Sequence, residues 1–305
     1  MCILAYERAI KSIRTVREPL TSIEQVKALP GVGASIVTKI RDMFDNGRMD
    51  AAELVRTDPR QAALGLFTRI YGAGPTAAAK WFDLGMRTLD DLREHPEHLT
   101  RTQRIGLQYL DDIEQRIPRT EVHEIEQVVR GAVADVAPGL EVTIAGSYRR
   151  GRPTCGDVDV LLTDRTRADA AGQLLPVVLD RLCNQGFITE TLLSASRDRF
   201  NFQGLCRLDR PGALHRRIDF KAYSPDVFPL ALLYFTGSAT HNRSMRLHAD
   251  RTGFQLNDKQ LTRLNRGHLP EAVPCRCERD VYDALGLVWC EPTEREGDVT
   301  KKSPS

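Results

Sequence analysis

Two aspartates one residue apart, Asp157 and Asp159 in Cys155-Gly-Asp-Val-Asp-Val-Leu-Leu162, stand at the start of an apolar run. In an extended strand, residues i and i+2 leave the same face. Both carboxylates therefore project to one side while Val158 and Val160 project to the other. Adjacent carboxylates repel, and burying them unpaired costs on the order of several kcal/mol; a divalent cation removes that cost. Mg²⁺ suits such a site because it takes carboxylates together with substrate phosphate oxygens and water, and Mn²⁺ is a possible substitute. Asp219, flanked by Ile218 and Phe220 in a second apolar run, would complete a set of three. Three acids on one sheet face can hold two ions about 4 Å apart, one activating a hydroxyl and one stabilising a leaving phosphate. Gly146 and Ser147, with Arg149 and Arg150 close behind, offer amides, a hydroxyl and guanidinium groups to a triphosphate. Taken alone, Asp-x-Asp also suits a solvated edge strand.

The elements needed to position these residues are readable from periodicity. After Pro138-Gly139, strands are expected over 142–145, 158–163, 187–192, 202–208 and 217–223, with a helix around 168–184, which makes a mixed sheet domain. A Pro-rich step over 224–229 leads into a third part, helical over 230–252 and short-stranded after it. The stretch 293–305 is polar and expected to be disordered. Ahead of the sheet, apolar residues three and four apart over 88–130 predict helices, with Pro118 as a boundary.

An internal repeat precedes all of this. Leu29-Pro-Gly-Val-Gly-Ala-Ser-Ile-Val-Thr-Lys39-Ile and Ile70-Tyr-Gly-Ala-Gly-Pro-Thr-Ala-Ala-Ala-Lys80-Trp match position for position. Each copy is an apolar residue, a Gly-x-Gly turn and a helix. Gly31, Gly33, Gly72 and Gly74 permit backbone angles closed to other residues, and the amides opening the next helix favour an anion. The repeat resembles the helix-hairpin-helix motif, which binds the DNA backbone without reading sequence. That resemblance implies a monovalent cation, Na⁺ or K⁺, held by the carbonyls of Lys27, Leu29 and Val32 in one copy and Thr68, Ile70 and Ala73 in the other.

Composition narrows the class. The chain has 305 residues, is 41% hydrophobic and 28% charged, and contains no apolar run near the ~20 residues of a membrane helix, so no membrane partner is expected. Net charge is only +2, and no segment is a basic arm, so charge alone does not announce nucleic acid. Seven scattered cysteines without a Cys-x-x-Cys pair argue against a disulfide framework or a zinc site and for a reducing compartment. Cys275 and Cys277 read as structural. The first residues mix apolar and charged types at helical spacing and read as mature sequence.

Gly-Ser followed at this spacing by Asp-x-Asp resembles the nucleotidyltransferase superfamily signature. With Gly146-Ser-Tyr-Arg-Arg-Gly151, Arg217-Ile-Asp219, Leu233-Tyr-Phe-Thr-Gly-Ser238 and the stretch from Asn242 to Arg246, the chain resembles family X DNA polymerases, in particular the lambda and beta branches. The likeness runs from about Tyr6 to Glu296 and includes both hairpins. It implies an α+β multidomain fold: helix-hairpin-helix domains, a nucleotidyltransferase-fold palm with a mixed sheet, and a small α+β C-terminal domain. The expected divisions are 1–57 (partial lyase-like), 58–117 (second hairpin), 118–225 (palm) and 226–305 (nucleotide selection, with the polar tail).

The resemblance implies a template-directed polymerase that fills short gaps in DNA repair. Asp157, Asp159 and Asp219 would hold the metals, with Asp219 near the primer 3′ hydroxyl and Arg217 modulating it. Ser147, Arg150 and Gly156 would contact the incoming dNTP, with Arg149 nearby. Tyr234 and Phe235 would line the sugar and exclude a 2′ hydroxyl, Gly237 would belong to the same nucleotide site, Ala239 would lie by the base, Asn242 would donate to the minor-groove edge, and Arg246 would touch the template. The implied partners are gapped or nicked DNA, dNTPs and repair proteins such as ligase complexes, with a monomeric chain in the nucleus or an organelle.

The front of the chain departs from the family's pattern. Lys39 aligns with the lysine of a 5′-deoxyribose-phosphate lyase and Tyr6 with a supporting tyrosine, but the likeness begins inside the lyase domain, and Ser35 and Thr38 stand where relatives carry charged residues. An incomplete lyase pocket is expected. Recruitment through a BRCT-like domain is not expected, and the segment between the strands ending near 192 and starting near 202 is short, which favours template dependence. Two other readings are a DNA-end-binding scaffold that keeps the hairpins, and a nucleotidyltransferase acting on RNA ends.

Overall fold

The structure, a computed structural model, describes residues 2–16, 18–46, 58–193, 200–264 and 269–300. The segment read as a short inter-strand loop, over 194–199, the last part of the division expected over 1–57, at 47–57, and the close of the polar tail at 301–305 lie outside the described residues. The chain forms two compact units, Met1–His98 and Leu99–Ser305. Among the described residues no helix is long and apolar enough to cross a membrane.

The first unit holds both hairpins. Helices α1 (Cys2–Thr15), α2 (Ile23–Lys27) and α3 (Ala34–Asn46) precede α4 (Pro59–Phe67), α5 (Pro75–Asp83) and α6 (Leu89–Glu94). The two Gly-x-Gly turns have the same geometry. Gly31 and Gly72 lie at φ +80° and +81°, in the left-handed region where glycine costs least. The Val32 amide donates to Leu29 O at 3.3 Å and the Ala73 amide to Ile70 O at 2.9 Å. Gly33 and Gly74 face open space, which lets another backbone approach.

The second unit begins with α7 (Arg101–Gln108) and α8 (Leu110–Glu114), the last helices of the division expected over 58–117. They contact the sheet: Arg101 Nη1 and Thr102 Oγ1 donate to the carbonyls of Thr191 and Leu192, and Asp112 accepts from the backbone and ring of His215, each of those last two bonds 2.9 Å. After β1 (Ile117–Pro118) and α9 (Arg119–Val136) come β2 (Glu141–Ile144), α10 (Gly146–Arg149), β3 (Thr154–Cys155), β4 (Val158–Thr163), α11 (Ala170–Asn184), β5 (Ile188–Leu193), β6 (Asn201–Cys206) and β7 (Arg216–Ala222). The five-stranded sheet has the order β2-β4-β7-β6-β5, antiparallel except for the β4/β7 pair.

Strand alternation sorts the sheet into two faces. Val158, Val160 and Leu162 on β4, with Ile218, Phe220 and Ala222 on β7, join the core shared with α9 and α11. Asp157, Asp159 and Leu161 leave the opposite face, where Leu161 packs with Ala145, Tyr223, Phe228 and Ala231. One side of the sheet is thus sealed by helices while the other carries acids.

A smaller α+β part follows: α12 (Phe228–Thr236), α13 (Ala239–Arg251), the antiparallel strands β8 (Phe254–Leu256), β9 (Leu261–Arg263) and β10 (Glu271–Ala272), and α14 (Glu278–Ala284). The helix expected over 230–252 is interrupted at Gly237-Ser238, where Gly237 takes φ +71° and Ser238 caps α13. The expectation of a disordered tail is corrected as far as Thr300. Arg295 is fully buried against the rings of Tyr282 and Trp289, and Val288 donates to Thr300 O at 2.9 Å. Letters that read as polar are here an arginine buried beside an edge-to-face pair of aromatic rings.

Candidate active site

Asp159 and Asp219 are direct partners across the parallel β4/β7 pair, so their side chains emerge side by side. Asp157 precedes Asp159 by one strand repeat. Arg217, one repeat before Asp219, donates to Asp157 Oδ2 at 2.8 Å and approaches Asp219 Oδ2 at 3.5 Å. Gln203 Nε2 donates to that same Asp219 oxygen at 3.3 Å. Asp219 Oδ1 is buried and has no hydrogen-bond partner.

The electrostatics follow from this crowding. Burial, reinforced by Asp157 and Asp219, pushes the Asp159 carboxyl up to about 7. Burial also raises Asp219, with Arg217 opposing. Among the described residues no three metal-ligating side chains converge on a single point; the Arg217 guanidinium lies between two of the acids and supplies the positive charge. An all-carboxylate donor set with a buried, unpartnered oxygen fits a hard divalent cation.

The glycine of the Gly-Ser pair has a structural reason. Gly146 lies at φ +56°, and a Cβ there would fall 2.4 Å from Asp159 Oδ2. Next to it opens a cavity of about 800 Å³. Its walls include Ser147, Arg150, Gly156, Asp157, Asp159, Tyr234, Phe235, Gly237, Ala239, Asn242 and Arg246, so most of the residues singled out in the sequence meet in one place. Tyr234 and Phe235 pack edge to face at 5.1 Å, and the Arg246 guanidinium lies 5.8 Å from the Tyr234 ring. Asn242 Nδ2 donates to Tyr234 O at 2.6 Å. Gly156 and Gly237 allow close approach of guanidinium groups: a Cβ at either would lie 3.1 Å from Arg116 Nη1 or Arg150 Nη1 respectively.

Arg149 is a correction. Its guanidinium turns from the cavity to make a two-pronged pair with Glu278, at 2.9 and 2.7 Å, and donates to Thr236 Oγ1 at 2.6 Å. Arg295 Nη1 reaches the same Glu278 at 2.6 Å. Burial alone would raise the Glu278 carboxyl, but the two guanidiniums outweigh it and hold it low. Arg149 and Arg150 are neighbours on one helical turn, and the roughly 100° between successive residues sends one into the packing and the other into the cavity.

Sequence reasoning missed Arg116, Arg152 and Glu296, which also line the cavity. Arg116 is fixed by Thr154, with Nε donating to Oγ1 at 3.2 Å and Nη2 to the carbonyl at 2.7 Å. No local motif marks it; its neighbour Pro118 was read only as a boundary.

Comparison with known proteins bears on this geometry. Family models match residues 116–225 as DNA polymerase beta palm, 231–296 as DNA polymerase beta thumb, 65–114 as the fingers domain of DNA polymerase lambda, and 2–49 as a helix-hairpin-helix domain. The chain belongs to the family X DNA polymerases. It is 38% identical to DNA polymerase lambda of Rattus norvegicus over 96% of its own length and 52% of that protein. It is 36% identical to DNA polymerase lambda of Arabidopsis thaliana, covering 95% of itself and 57% of the relative. Identity to the DNA-directed DNA/RNA polymerase mu of Homo sapiens is 32%, over 96% and 64%. The chain thus spans between about half and just under two thirds of these family X relatives. In family terms, the acids and Gly146-Ser147 lie in the palm and Tyr234 to Arg246 in the thumb.

The first unit brings together the pair named for lyase chemistry. Lys39 Nζ donates to the Tyr6 hydroxyl and lies 5.0 Å from its ring centroid. Lys80 holds the matching place in the second hairpin.

Proposed function

We propose that this chain is a template-directed DNA polymerase that fills short gaps during DNA repair, joining dNMP to a primer 3′ hydroxyl. The observation that carries the reading is a cavity walled by Asp157, Asp159, Arg116, Arg150 and the Tyr234-Phe235 turn, with the buried Asp219 standing opposite Asp159 on the next strand. Asp157, Asp159 and Asp219 would hold divalent cations, Mg²⁺ first among them. Bound there, such cations supply charge neutralisation at the attacking hydroxyl and the departing pyrophosphate.

The chain's own residues do the positioning. Arg150, Arg116 and Ser147 receive the triphosphate, the guanidiniums as paired donors. The Tyr234-Phe235 wall packs against the sugar, where an added 2′ hydroxyl would have no room. Asn242 and Arg246 face the base pair and the template. The 3′ oxygen bonds to the α-phosphorus as the bond to the β-phosphate oxygen breaks, the two oxygens in line. Ahead of this, the turn carbonyls of Lys27, Leu29, Val32, Thr68, Ile70 and Ala73 would hold Na⁺ or K⁺ against DNA phosphates. The test is Asp157→Ala or Asp219→Ala: incorporation should be abolished while affinity for gapped DNA persists. Near wild-type incorporation by either variant would sink the assignment.

A second activity is favoured by the Lys39–Tyr6 contact, namely 5′-deoxyribose-phosphate lyase through a Schiff base on Lys39. Borohydride should trap the wild-type protein on incised abasic DNA but not Lys39→Ala. Equal trapping of both would remove Lys39 from that role.

A further inference from the structure

On the reading that Arg150 receives nucleotide phosphate, the carboxylate already paired with it matters. That group is Glu296, from the stretch whose composition suggested a free tail. Glu296 Oε1 accepts from Arg150 Nε at 2.9 Å and Oε2 from Arg152 Nη2 at 2.8 Å, and all three line the cavity that holds Asp157 and Asp159. The side chain of Arg150 is only 14% exposed, that of Arg152 49%.

The backbone that delivers Glu296 is fixed. The Ser238 amide donates to Arg295 O at 3.0 Å, His241 Nδ1 lies 3.2 Å from Gly297 O, and the Arg295 side chain is buried. The Glu296 side chain itself is about one third exposed, at 34%, so it can swing without unfolding its anchor. A carboxylate and a phosphate present the same pair of oxygens to a guanidinium. A half-buried Arg150 without an anion would carry a desolvation cost, which Glu296 relieves.

We propose that Glu296 is a built-in stand-in for nucleotide phosphate: it neutralises Arg150 and Arg152 in the free protein and yields Arg150 to the incoming triphosphate, remaining on Arg152. Part of every triphosphate's binding free energy is then spent on the exchange, which lowers apparent affinity. The effect belongs to phosphate-bearing ligands alone. It sets how strongly the site holds triphosphate, independent of the base.

Glu296→Gln keeps the shape and removes the charge. Binding is measured on one-nucleotide-gapped DNA with a dideoxy-terminated primer, using the template-matched dNTP, inorganic tripolyphosphate and the unphosphorylated deoxynucleoside, all with Mg²⁺. The variant should bind the dNTP and tripolyphosphate about tenfold more tightly, equivalent to about 1.4 kcal/mol, and the nucleoside no differently. Unchanged or weaker triphosphate binding would overturn the proposal and make Glu296 a prop that holds Arg150 in place. Should the substitution unseat the Arg295 anchor, a solved structure of the wild-type protein with gapped DNA and dNTP decides. Arg150 must have parted from Glu296, and an intact pair beside bound triphosphate would overturn the exchange. Failure of the wild-type protein to prefer the template-matched dNTP would instead count against the polymerase reading itself.

Discussion

Replacing Gly146 by alanine separates backbone cost from damage to the acids. At φ +56° the new side chain costs about 1 kcal/mol of stability through the left-handed backbone alone. Its Cβ would lie 2.4 Å from Asp159 Oδ2 and 3.4 Å from Asp159 Cγ. Non-bonded atoms settle at about 3.5 Å, so the carboxylate oxygen must retreat by roughly 1 Å, and a displacement of that size costs on the order of 10²-fold in rate. Gly186 is the control, since it has φ +70° with nothing within 4 Å of its Cβ position. Both variants should lose about 1 kcal/mol in denaturant unfolding, but only Gly146→Ala should lose about a hundredfold in single-turnover incorporation at saturating dNTP. A Gly146→Ala protein that incorporates at close to the wild-type rate would mean that Asp159 tolerates the intrusion and that its carboxylate need not sit where the glycine leaves room for it.

Other outcomes follow from the same geometry. With metal chelated, the folded protein binds more protons than the unfolded chain between the ordinary carboxyl range and about 7, because burial raises Asp159 and Asp219. Its melting temperature should therefore fall as pH rises through that window; saturating Mg²⁺ should flatten the slope, and an equal slope with and without metal would contradict the assignment. Glu278→Ala leaves the fully buried Arg295 without its carboxylate and should cost about 3–5 kcal/mol, read as a lower urea midpoint; a midpoint unchanged from wild type would show that the pairing contributes nothing. Arg116→Ala should raise KM for dNTP about tenfold or more, and Arg116→Lys should rescue it only in part because the fork held by Thr154 is lost. Full rescue by lysine would mean that Arg116 acts as a point charge.

What could be read from the letters was whatever the chain states locally. The alternation Asp157, Asp159, Leu161 against Val158, Val160, Leu162 gave one polar and one sealed sheet face, and the matched turns at Gly31 and Gly72 gave two like hairpins. Asp219 was found as a third acid, but its pairing opposite Asp159 is a property of register, fixed only when β4 and β7 meet. Long-range pairs were invisible. Arg149 finds Glu278 and Arg150 finds Glu296 across 129 and 146 residues, and no periodicity connects them. Arg295 misled because composition cannot tell a solvated arginine from one buried against Tyr282 and Trp289. The bonds of α7 and α8 to β5 and His215 are likewise long-range and left no mark on the local pattern.

Templated addition of deoxynucleotides is tested by single-nucleotide incorporation by the wild-type protein on DNA with a one-nucleotide gap and a 5′ phosphate, with Mg²⁺, each of the four dNTPs and the matching NTPs, repeated with the template base changed. The inserted base should follow the template, and dNTPs should be used in preference to NTPs. Binding of the gapped DNA without insertion would contradict templated addition and favour a scaffold, and insertion indifferent to the template base or to the sugar would contradict it as well.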